Sequence, residues 1–419
     1  MMRHLSLALL FALSLLFAGC NGNSSSTDRT DESADTTSAA HTPETPKGPQ
    51  IESSRYWNDL ARYFGGLTPK DGSMLKGIDD VRVRAELKQF RALFDERWEN
   101  RNEKLVSKLP GFSKREMPEA HKSDRTVFYP FAGADIHTAH ALFPNANKYI
   151  MFGLEPEGLV PNPDWLDDLD RNRLGRDIQG ISVMVDDILG LSFFKTRDME
   201  KDMVNYQFNG TTPILLAFLA RRGQEVGLVQ PVRLTQDAKV EVVPESERYS
   251  SVREMKARDK KVTGMQIFFR NDENSPWQIV EYWSTDVHDN GLAATPHFEA
   301  YLRDQKPANG YAKAASYLMH KPYFSTIRDI MLDICEVFMQ DDSGMPYREI
   351  PTDIYDVHLY GKYDKPIPLF SNLYQGDLKQ LYQEDQRRKD LDFGMGYCNR
   401  PHNCNIIIAK RKDEHSLVK

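Results

Sequence analysis

The sequence lacks several patterns that would assign it to a common class of protein. No basic patch with interleaved aromatic residues is present, and the formal net charge of -7 is spread along the chain. This distribution does not favour nucleic-acid binding. The G-x-S-x-G motif of nucleophile elbows and the G-x-x-x-x-G-K-[ST] motif of P-loops are also absent. Two large groups of enzymes therefore have no sequence signature here.

Long apolar runs are missing too, and the longest one lies at the amino terminus. Arg3 and His4 precede an apolar run at residues 5–17, which is too short to span a bilayer as a mature helix. Small residues then lead to Cys20. This pattern resembles the lipobox of bacterial lipoproteins, in which the peptide is cut before the cysteine and the thiol takes a diacylglycerol. The alternative is an ordinary signal peptide with a chance cysteine.

The residues around the cleavage point also predict a location. Asn21 resembles the sorting pattern for the outer membrane, since it is not the Asp that retains enteric lipoproteins in the inner membrane. We therefore expect a protein anchored to the cell outer membrane by acyl chains, including palmitate, at Cys20. It would face the periplasm or the cell surface.

Composition divides the chain into four parts. Residues 1–19 are the predicted signal peptide, and residues 20–50 are the lipidated cysteine with a tether too poor in apolar residues to fold. Residues 51–123 are predicted to be a helical segment packed on the main domain. Residues 124–419 are predicted to form one α/β domain.

The stretch at residues 124–158 organises this domain. Residues 126–131 and 148–154 read as buried strands, and a short helix lies between them. Gly133 allows a tight turn after the first strand, and Asp135 is placed to cap the helix. Two strands joined by a helix form a parallel crossover unit.

Other periodic segments complete the predicted fold. They are an amphipathic helix at 79–109, strands at 264–270 and 278–285 in a hairpin, a helix at 324–340, and strands at 393–397 and 405–410. The sequence thus predicts an α/β fold with a mixed, largely parallel Rossmann-like sheet, flanking helices and a C-terminal antiparallel hairpin.

Cysteine is scarce, with only four residues in 419. Cys398 and Cys404 flank a five-residue loop, and an exported chain meets an oxidising compartment, so we predict a disulfide between them. A metal clip with His402 is the alternative, although only two thiols and one histidine are local. Cys335 is predicted to be a buried thiol on the apolar face of a helix.

A first candidate site combines Gly133 with Glu155. A glycine turn after one strand and an acid ending the next are typical of dinucleotide or adenosyl sites. Only one glycine stands in FAGAD, where the dinucleotide fingerprint has three. We therefore favour a crossover unit without a cofactor, and we predict none.

A second candidate is a metal site. Asp135, His137 and His140 have the spacing that places two histidines on one helix face beside a carboxylate. The alternative assigns Asp135 to helix capping and leaves a histidine in solvent.

Two loops supply the remaining candidates. Asp286, His288 and Asp289, with His297 nearby, follow a predicted strand, and we interpret them as a turn. The segment containing Asp341, Asp342, Tyr347 and Arg348 is either a ligand-contacting loop or a glycine-capped helix end. With Gly133, Asp135 and Glu155, these last four residues form the predicted polar cleft.

Several motifs extend beyond these sites. The letters YPFAGAD, LFPNANKY, FGLEPEG, KAASYLMH and QDDSGMPYR resemble a family of uncharacterised bacterial proteins, often lipoproteins. The resemblance spans residue 56 to the carboxyl end, which implies one continuous domain. It implies no established activity.

Three functional hypotheses follow from these observations. The first is a binding or envelope accessory protein with an unknown envelope ligand or protein partner. The second is a periplasmic hydrolase, with or without a metal, that uses Asp135, Glu155, Asp341 and Asp342. The third is a catalytically inactive methyltransferase-like Rossmann domain.

Overall fold

The computed structural model describes residues 51, 54–68, 70, 72–73, 75, 84–122, 125–159, 170, 173–191, 207–248, 262–397 and 404–418. Cys20, the predicted tether, Cys398 and His402 lie outside these residues. In the part that is described, no helix combines the length and apolar character needed to cross a bilayer. Residues Ile51–Lys419 form one compact unit.

A single mixed sheet runs through this unit. Its ten strands, among the described residues, are β1 (Thr126–Pro130), β2 (Lys148–Gly153), β3 (Glu225–Leu234), β4 (Val240–Val242), β5 (Thr263–Arg270), β6 (Gln278–Ser284), β7 (Ala308–Ala312), β8 (Cys335–Gln340), β9 (Tyr355–Gly361) and β10 (Asn405–Arg411). Their order across the sheet is β4-β3-β5-β6-β2-β1-β7-β8-β10-β9.

The parallel strands lie in the middle of the sheet. Strands β6, β2, β1, β7 and β8 pair in parallel, which gives four parallel pairings in the described chain. The five remaining pairings are antiparallel. The mixed α/β class is therefore confirmed, but a largely parallel sheet is wrong as a description of the whole, because antiparallel strands extend both sides.

Helices cover both faces of the sheet. Those described are α1 (Arg55–Phe64), α2 (Arg84–Arg101), α3 (Leu109–Glu116), α4 (Ile136–Leu142), α5 (Leu174–Leu191), α6 (Thr212–Arg221), α7 (Asp289–Ala294), α8 (Pro296–Arg303), α9 (Ser325–Ile334) and α10 (Gly376–Glu384). Buried residues of α1 to α6 share one hydrophobic core, and those of α7 to α10 share another.

Alternation along the central strands explains these two cores. Tyr129 of β1 belongs to the first core, whereas its neighbour Phe128 belongs to the second. Successive side chains of a strand point to opposite faces, so a central strand must be apolar on both. The predicted stripe of the long helix is also buried, at Leu87, Phe90 and Phe94 of α2.

Two strands of the parallel centre were not predicted. The predicted helix at 324–340 is wrong in its second half, because α9 ends at Ile334 and β8 begins at Cys335. Cys335 is buried, as expected, but in a strand rather than on a helix. A short buried strand is apolar throughout and cannot be distinguished from a buried helix by periodicity. Strand β7 has the sequence ANGYA, whose Asn and Gly are rare in strands.

The predicted C-terminal hairpin is also wrong. Residues 393–397 are not a strand, and β10 instead lies between β8 and β9, antiparallel to both. The partners of β10 are therefore much earlier in the chain than the predicted neighbour. Cys404 precedes β10, and its sulfur accepts a hydrogen bond from the Met395 amide at 3.0 Å. The Cys398–Cys404 disulfide stays a prediction.

Candidate functional site at the carboxyl edge of the parallel strands

The strand order reverses between β1 and β7. From β1 the chain continues to β2 and β6 on one side, whereas β7 and β8 lie on the other. In open α/β sheets, such a reversal leaves a crevice outside the carboxyl ends of the strands. The backbone here has unusual conformations, with positive φ at Phe131 (56°) and Gly133 (53°) after β1 and at Ala314 (53°) after β7. Positive φ at residues other than glycine is uncommon and often marks a functional site.

A buried ion pair lies at this reversal. The Lys313 ammonium is 2.6 Å from Oδ2 of Asp135, and the two residues are only 1% and 2% exposed. The hydroxyls of Tyr129 and Thr138 donate to the same oxygen at 2.8 Å and 2.7 Å. Tyr311 donates to the Thr138 hydroxyl at 3.1 Å. We call these five residues the switch-point cluster.

The predicted capping role of Asp135 is wrong in its chemistry. Asp135 does precede the first residue of α4, but its side chain accepts no hydrogen bond from the helix backbone. The carboxylate is used instead by Lys313, Tyr129 and Thr138. Charge-assisted hydrogen bonds of this kind are stronger than neutral ones, so Asp135 satisfies the buried cation rather than the helix end.

Burial and charge set the protonation of the cluster. Burial alone would raise the pKa of the Asp135 carboxyl, but Lys313 and His137 together lower it more, so this pKa lies well below its usual range. Burial lowers the pKa of Lys313, partly offset by Asp135, and raises the pKa of the Tyr129 and Tyr311 hydroxyls. Asp135 is therefore ionised and both tyrosines are neutral donors at pH 7.

A second pair of buried charges adjoins the cluster. Arg101, the last residue of α2, is 4% exposed, and its charge interacts with those of Asp135 and Lys313. It is followed by a π-helical turn at Asn102–Val106, a feature that is frequent at functional sites. Asp341 is fully buried at the end of β8 and influences the pKa of Lys313. Two cations and two carboxylates thus meet at this edge.

The two candidate histidine ligands point into different surroundings. His137 Nδ1 is 3.0 Å from Oδ1 of Asp135, and its ring packs against Trp98 and Phe218. His140 Nδ1 instead lies 2.8 Å from the side-chain amide of Gln224. Among the described residues, no group of three histidine, cysteine, aspartate or glutamate side chains is placed to hold a metal ion.

Both histidines are neutral at pH 7. Burial lowers the pKa of His137 to about 4 although Asp135 opposes this shift. Burial, with the charge of Arg222, lowers the pKa of His140 to about 3. The pairing of His137 with Asp135 is therefore that of a neutral ring beside a carboxylate, and Lys313 carries the compensating charge.

Glu155 lies apart from the cluster, at the boundary of β2 and β6. It folds back over Gly153, where an added Cβ would be 2.4 Å from its Oε2 atom. The Tyr282 hydroxyl donates to that carboxylate at 3.3 Å and to the Glu155 carbonyl at 3.1 Å. Glu155 is 8% exposed. Its neighbours are thus those of β6, whereas Asp135 faces β7.

The segment after β8 is a buried, internally bonded turn. Gln340 exchanges two side-chain hydrogen bonds with the backbone of Met345, at 2.6 Å and 2.9 Å. Asp341 accepts from the amide and the hydroxyl of Ser343. Asp342 and Asn405 are joined by two hydrogen bonds, at 2.7 Å and 3.1 Å, which link this turn to β10.

The other members of the predicted cleft are elsewhere. Tyr347 is half-buried in a short 3₁₀ turn, Tyr347–Glu349, and its amide donates to Gln375 at 2.7 Å. Arg348 is exposed beside Glu349. The structure therefore brings Gly133, Asp135 and Asp341 to one edge but does not add Asp342, Tyr347 or Arg348 to them.

The predicted turn beginning at Asp289 is wrong, because Asp289 is the first residue of α7 and residues 286–288 form the loop that leads into this helix. The His288 amide donates to Asp286 at 2.9 Å, and the Asn290 amide donates to the His288 ring at 3.1 Å. His288 thereby caps α7. Asp289 accepts from the amide of Thr326 at 3.0 Å, so its carboxylate anchors the start of α9. These groups are used in local structure.

Sequence reasoning missed Lys313, Tyr311 and Arg101. Lys313 directly follows β7, and it becomes a candidate only once β7 is placed beside β1. Arg101 ends an amphipathic helix in which charged residues are common. Neither position carries a local signal that separates it from other charged residues. Comparisons with protein-family models, with curated proteins and with solved structures find no match for this chain.

Proposed function

We propose that this chain is an envelope-anchored binding protein, built on a methyltransferase-like frame whose cofactor crevice is filled by its own charged side chains. The observation that carries the proposal is the Asp135–Lys313 pair, which lies buried at the reversal of strand order. The proposal joins the first and third hypotheses drawn from the sequence.

Strand order supports the methyltransferase-like part. With the antiparallel extension β3–β5 set aside, the strands lie in the order β6-β2-β1-β7-β8-β10-β9, and β10 is antiparallel to its neighbours. Numbered along the chain, this is three, two, one, four, five, seven, six. Rossmann-like methyltransferases share this order and the reversed seventh strand. This shared order is a likeness of fold, and fold alone does not assign chemistry.

The chemistry at the crevice supports the inactive part. A nucleotide site of this kind uses a glycine-rich turn after the first strand, where the backbone approaches the ligand closely. Here that turn contains Phe131 and a single glycine, Gly133. Lys313 and Asp135 fill the reversal next to it. A ligand that separated them would leave two buried charges unpaired, which costs about 3–5 kcal/mol for a buried pair.

The carboxylates proposed for hydrolysis are already used by the protein. Asp135 is held ionised by Lys313, and Asp342 is hydrogen-bonded to Asn405. A general acid and base require carboxyl groups that reach a substrate and differ in pKa. The hydrolase hypothesis therefore has less support than binding.

The test is calorimetric titration of the full chain with S-adenosylmethionine, S-adenosylhomocysteine, NAD and ATP. We expect no saturable heat and no shift in the thermal midpoint that depends on Glu155. The matched variants are Glu155→Gln, just after the carboxyl end of β2, and Asp356→Asn, an exposed carboxylate on β9. Saturable binding that is lost in Glu155→Gln and kept in Asp356→Asn would show an open cofactor site and overturn the proposal.

A further inference from the structure

A second cleft lies at the opposite edge of the sheet. It has a volume of about 760 Å³ and is formed where β1, β7, β8 and β9 begin and β10 ends. We call it the amino-edge cleft, and its lining includes Arg125, Asn309, His358, Lys410 and Lys412. The volume falls within the range of small-molecule sites.

Arg125 is the unusual residue of this cleft. It directly precedes β1 and is only 7% exposed. Its Nη1 atom is buried and has no hydrogen-bond partner in the part of the chain that the structure describes. A guanidinium cannot lose its charge in a protein, and a buried charge is costly unless it is paired. The question is therefore whether another residue lining the cleft supplies an anionic partner for Arg125.

Several other charged groups that line the cleft have partners of their own. Lys410 pairs with Glu119 at 3.0 Å. Glu336 accepts hydrogen bonds from the Leu417 amide and the Ser416 hydroxyl. Arg411 donates to the Cys335 carbonyl at 3.2 Å and to the Tyr355 hydroxyl at 3.0 Å. The carboxylates of Glu119 and Glu336 therefore pair with other groups and not with Arg125.

The rim of the cleft limits the size and charge of a ligand. Lys122 is exposed and Lys412 half-buried, so both can approach an anion at the mouth. Asp356, Asp413 and Glu414 are exposed on the same rim and repel extended polyanions. A small anion with a single charge is repelled less by these carboxylates than a polyanion is.

We infer that the amino-edge cleft binds a small anion through one carboxylate or phosphate group that pairs with Arg125. The fork of a guanidinium matches both groups, because it can donate two parallel hydrogen bonds to either of them. Lys122 and Lys412 assist at the mouth. This inference does not depend on whether the crevice at the opposite edge is closed.

The test uses inorganic phosphate and acetate with the full-length chain, followed by calorimetry and by thermal unfolding. Vesicles with and without phosphatidic acid distinguish a lipid headgroup from a free anion as the source. We expect saturable binding of phosphate or acetate, or of the anionic vesicles alone if the source is lipid. In each case Arg125→Gln should weaken affinity on the order of tenfold or more. The control Lys88→Gln, at an exposed position of α2, should not change it.

A second readout separates binding from a structural role. Without added anion, Arg125→Gln should be at least as stable as the parent chain, because it removes an unpaired buried charge. A destabilised variant that still binds phosphate with unchanged affinity would overturn the inference. So would the absence of saturable binding to phosphate, acetate and both kinds of vesicle.

Discussion

At the scale of single residues, the buried Lys313–Asp135 pair of the switch-point cluster holds two strand ends together but adds little net stability. Lys313 reaches Asp135 from the neighbouring strand end, and two hydroxyls complete the carboxylate shell. The gain from pairing two buried ions is largely offset by the loss of their hydration. Removing one partner is a different matter, because the other ion is then buried alone.

Asp135→Asn should therefore lower the free energy of unfolding by about 3–5 kcal/mol. The double variant Asp135→Asn/Lys313→Met should recover much of this loss, because no charge remains unpaired. Urea unfolding at pH 7 measures both. Asp356→Asn, at an exposed position, is the matched control and should stay within about 0.5 kcal/mol of the parent chain. A cost below about 1 kcal/mol for Asp135→Asn would contradict a sealed pair.

The buried histidines predict a pH dependence of stability. The pKa of His140 is lowered to about 3, from 6.5 in an exposed side chain. Below pH 6.5 the unfolded chain takes up a proton that the folded chain does not, so stability falls as the pH drops towards 3. Between pH 7 and pH 5 this histidine alone should cost about 2 kcal/mol.

The variant His140→Gln should reduce the loss of stability between pH 7 and pH 5 by about that amount. Urea unfolding at the two pH values gives the difference directly. His415→Gln is the control, since His415 is exposed and its removal should leave the pH dependence unchanged. Equal slopes for the parent chain and His140→Gln would show that His140 titrates normally.

At the scale of secondary structure, the centre of the sheet depends on one glycine. Gly310 lies in β7, and an added Cβ would be 2.5 Å from Cβ of Phe338 and 2.8 Å from Cε of Met331. Phe338 belongs to the neighbouring strand β8, and Met331 belongs to α9 above it. The absence of a side chain at Gly310 lets a helix and two strands approach closely.

Gly310→Ala should destabilise the protein by about 1–3 kcal/mol, because the core there cannot take an extra methyl group. Gly111→Ala is the control of opposite sign. Gly111 lies inside α3, and nothing stands within 4 Å of its added Cβ. Alanine there should stabilise by about 0.5–1 kcal/mol. Thermal unfolding of both variants tests the contrast, and a stable Gly310→Ala chain would refute close packing at β7.

The same element shows what the sequence could and could not predict. Strands with β-branched or aromatic runs, such as those at 126–131 and 264–270, were found by local pattern. Strand β7 was missed because its stability comes from burial between β1 and β8, not from its own residues. Lys313 was missed with it. The site at the carboxyl edge was therefore predicted only in its Gly133, Asp135 and Asp341 part.

At the scale of the whole molecule, the predicted polar cleft combined residues that are distant in sequence, so the prediction depended on the strand topology. The predicted polar cleft grouped residues by their places at strand ends, which is correct for parallel strands. Glu155 turns towards β6, and the turn after β8 folds on itself. The residues of the predicted cleft therefore point in different directions and do not form one site. Side-chain direction at a strand end depends on tertiary neighbours that no local pattern contains.

The lipid anchor that the sequence predicts at Cys20 can be tested in the intact protein. Cells fed an alkyne-tagged palmitate should label the parent chain, and Cys20→Ser should lose the label and leave the membrane fraction. Cys335→Ser is the control, since this buried thiol is not available to an acyl donor. Labelling that survives in Cys20→Ser would favour an ordinary signal peptide over a lipobox.

The position of β10 between β8 and β9 also has a consequence for biogenesis. Strand β9 has no hydrogen-bonded partner strand in the described sheet except β10. A nascent chain that has released β9 from the ribosome must therefore wait for residues 405–411 before this side of the sheet can assemble. Clipping of the tail by a protease would, by the same geometry, release β9 from the finished protein.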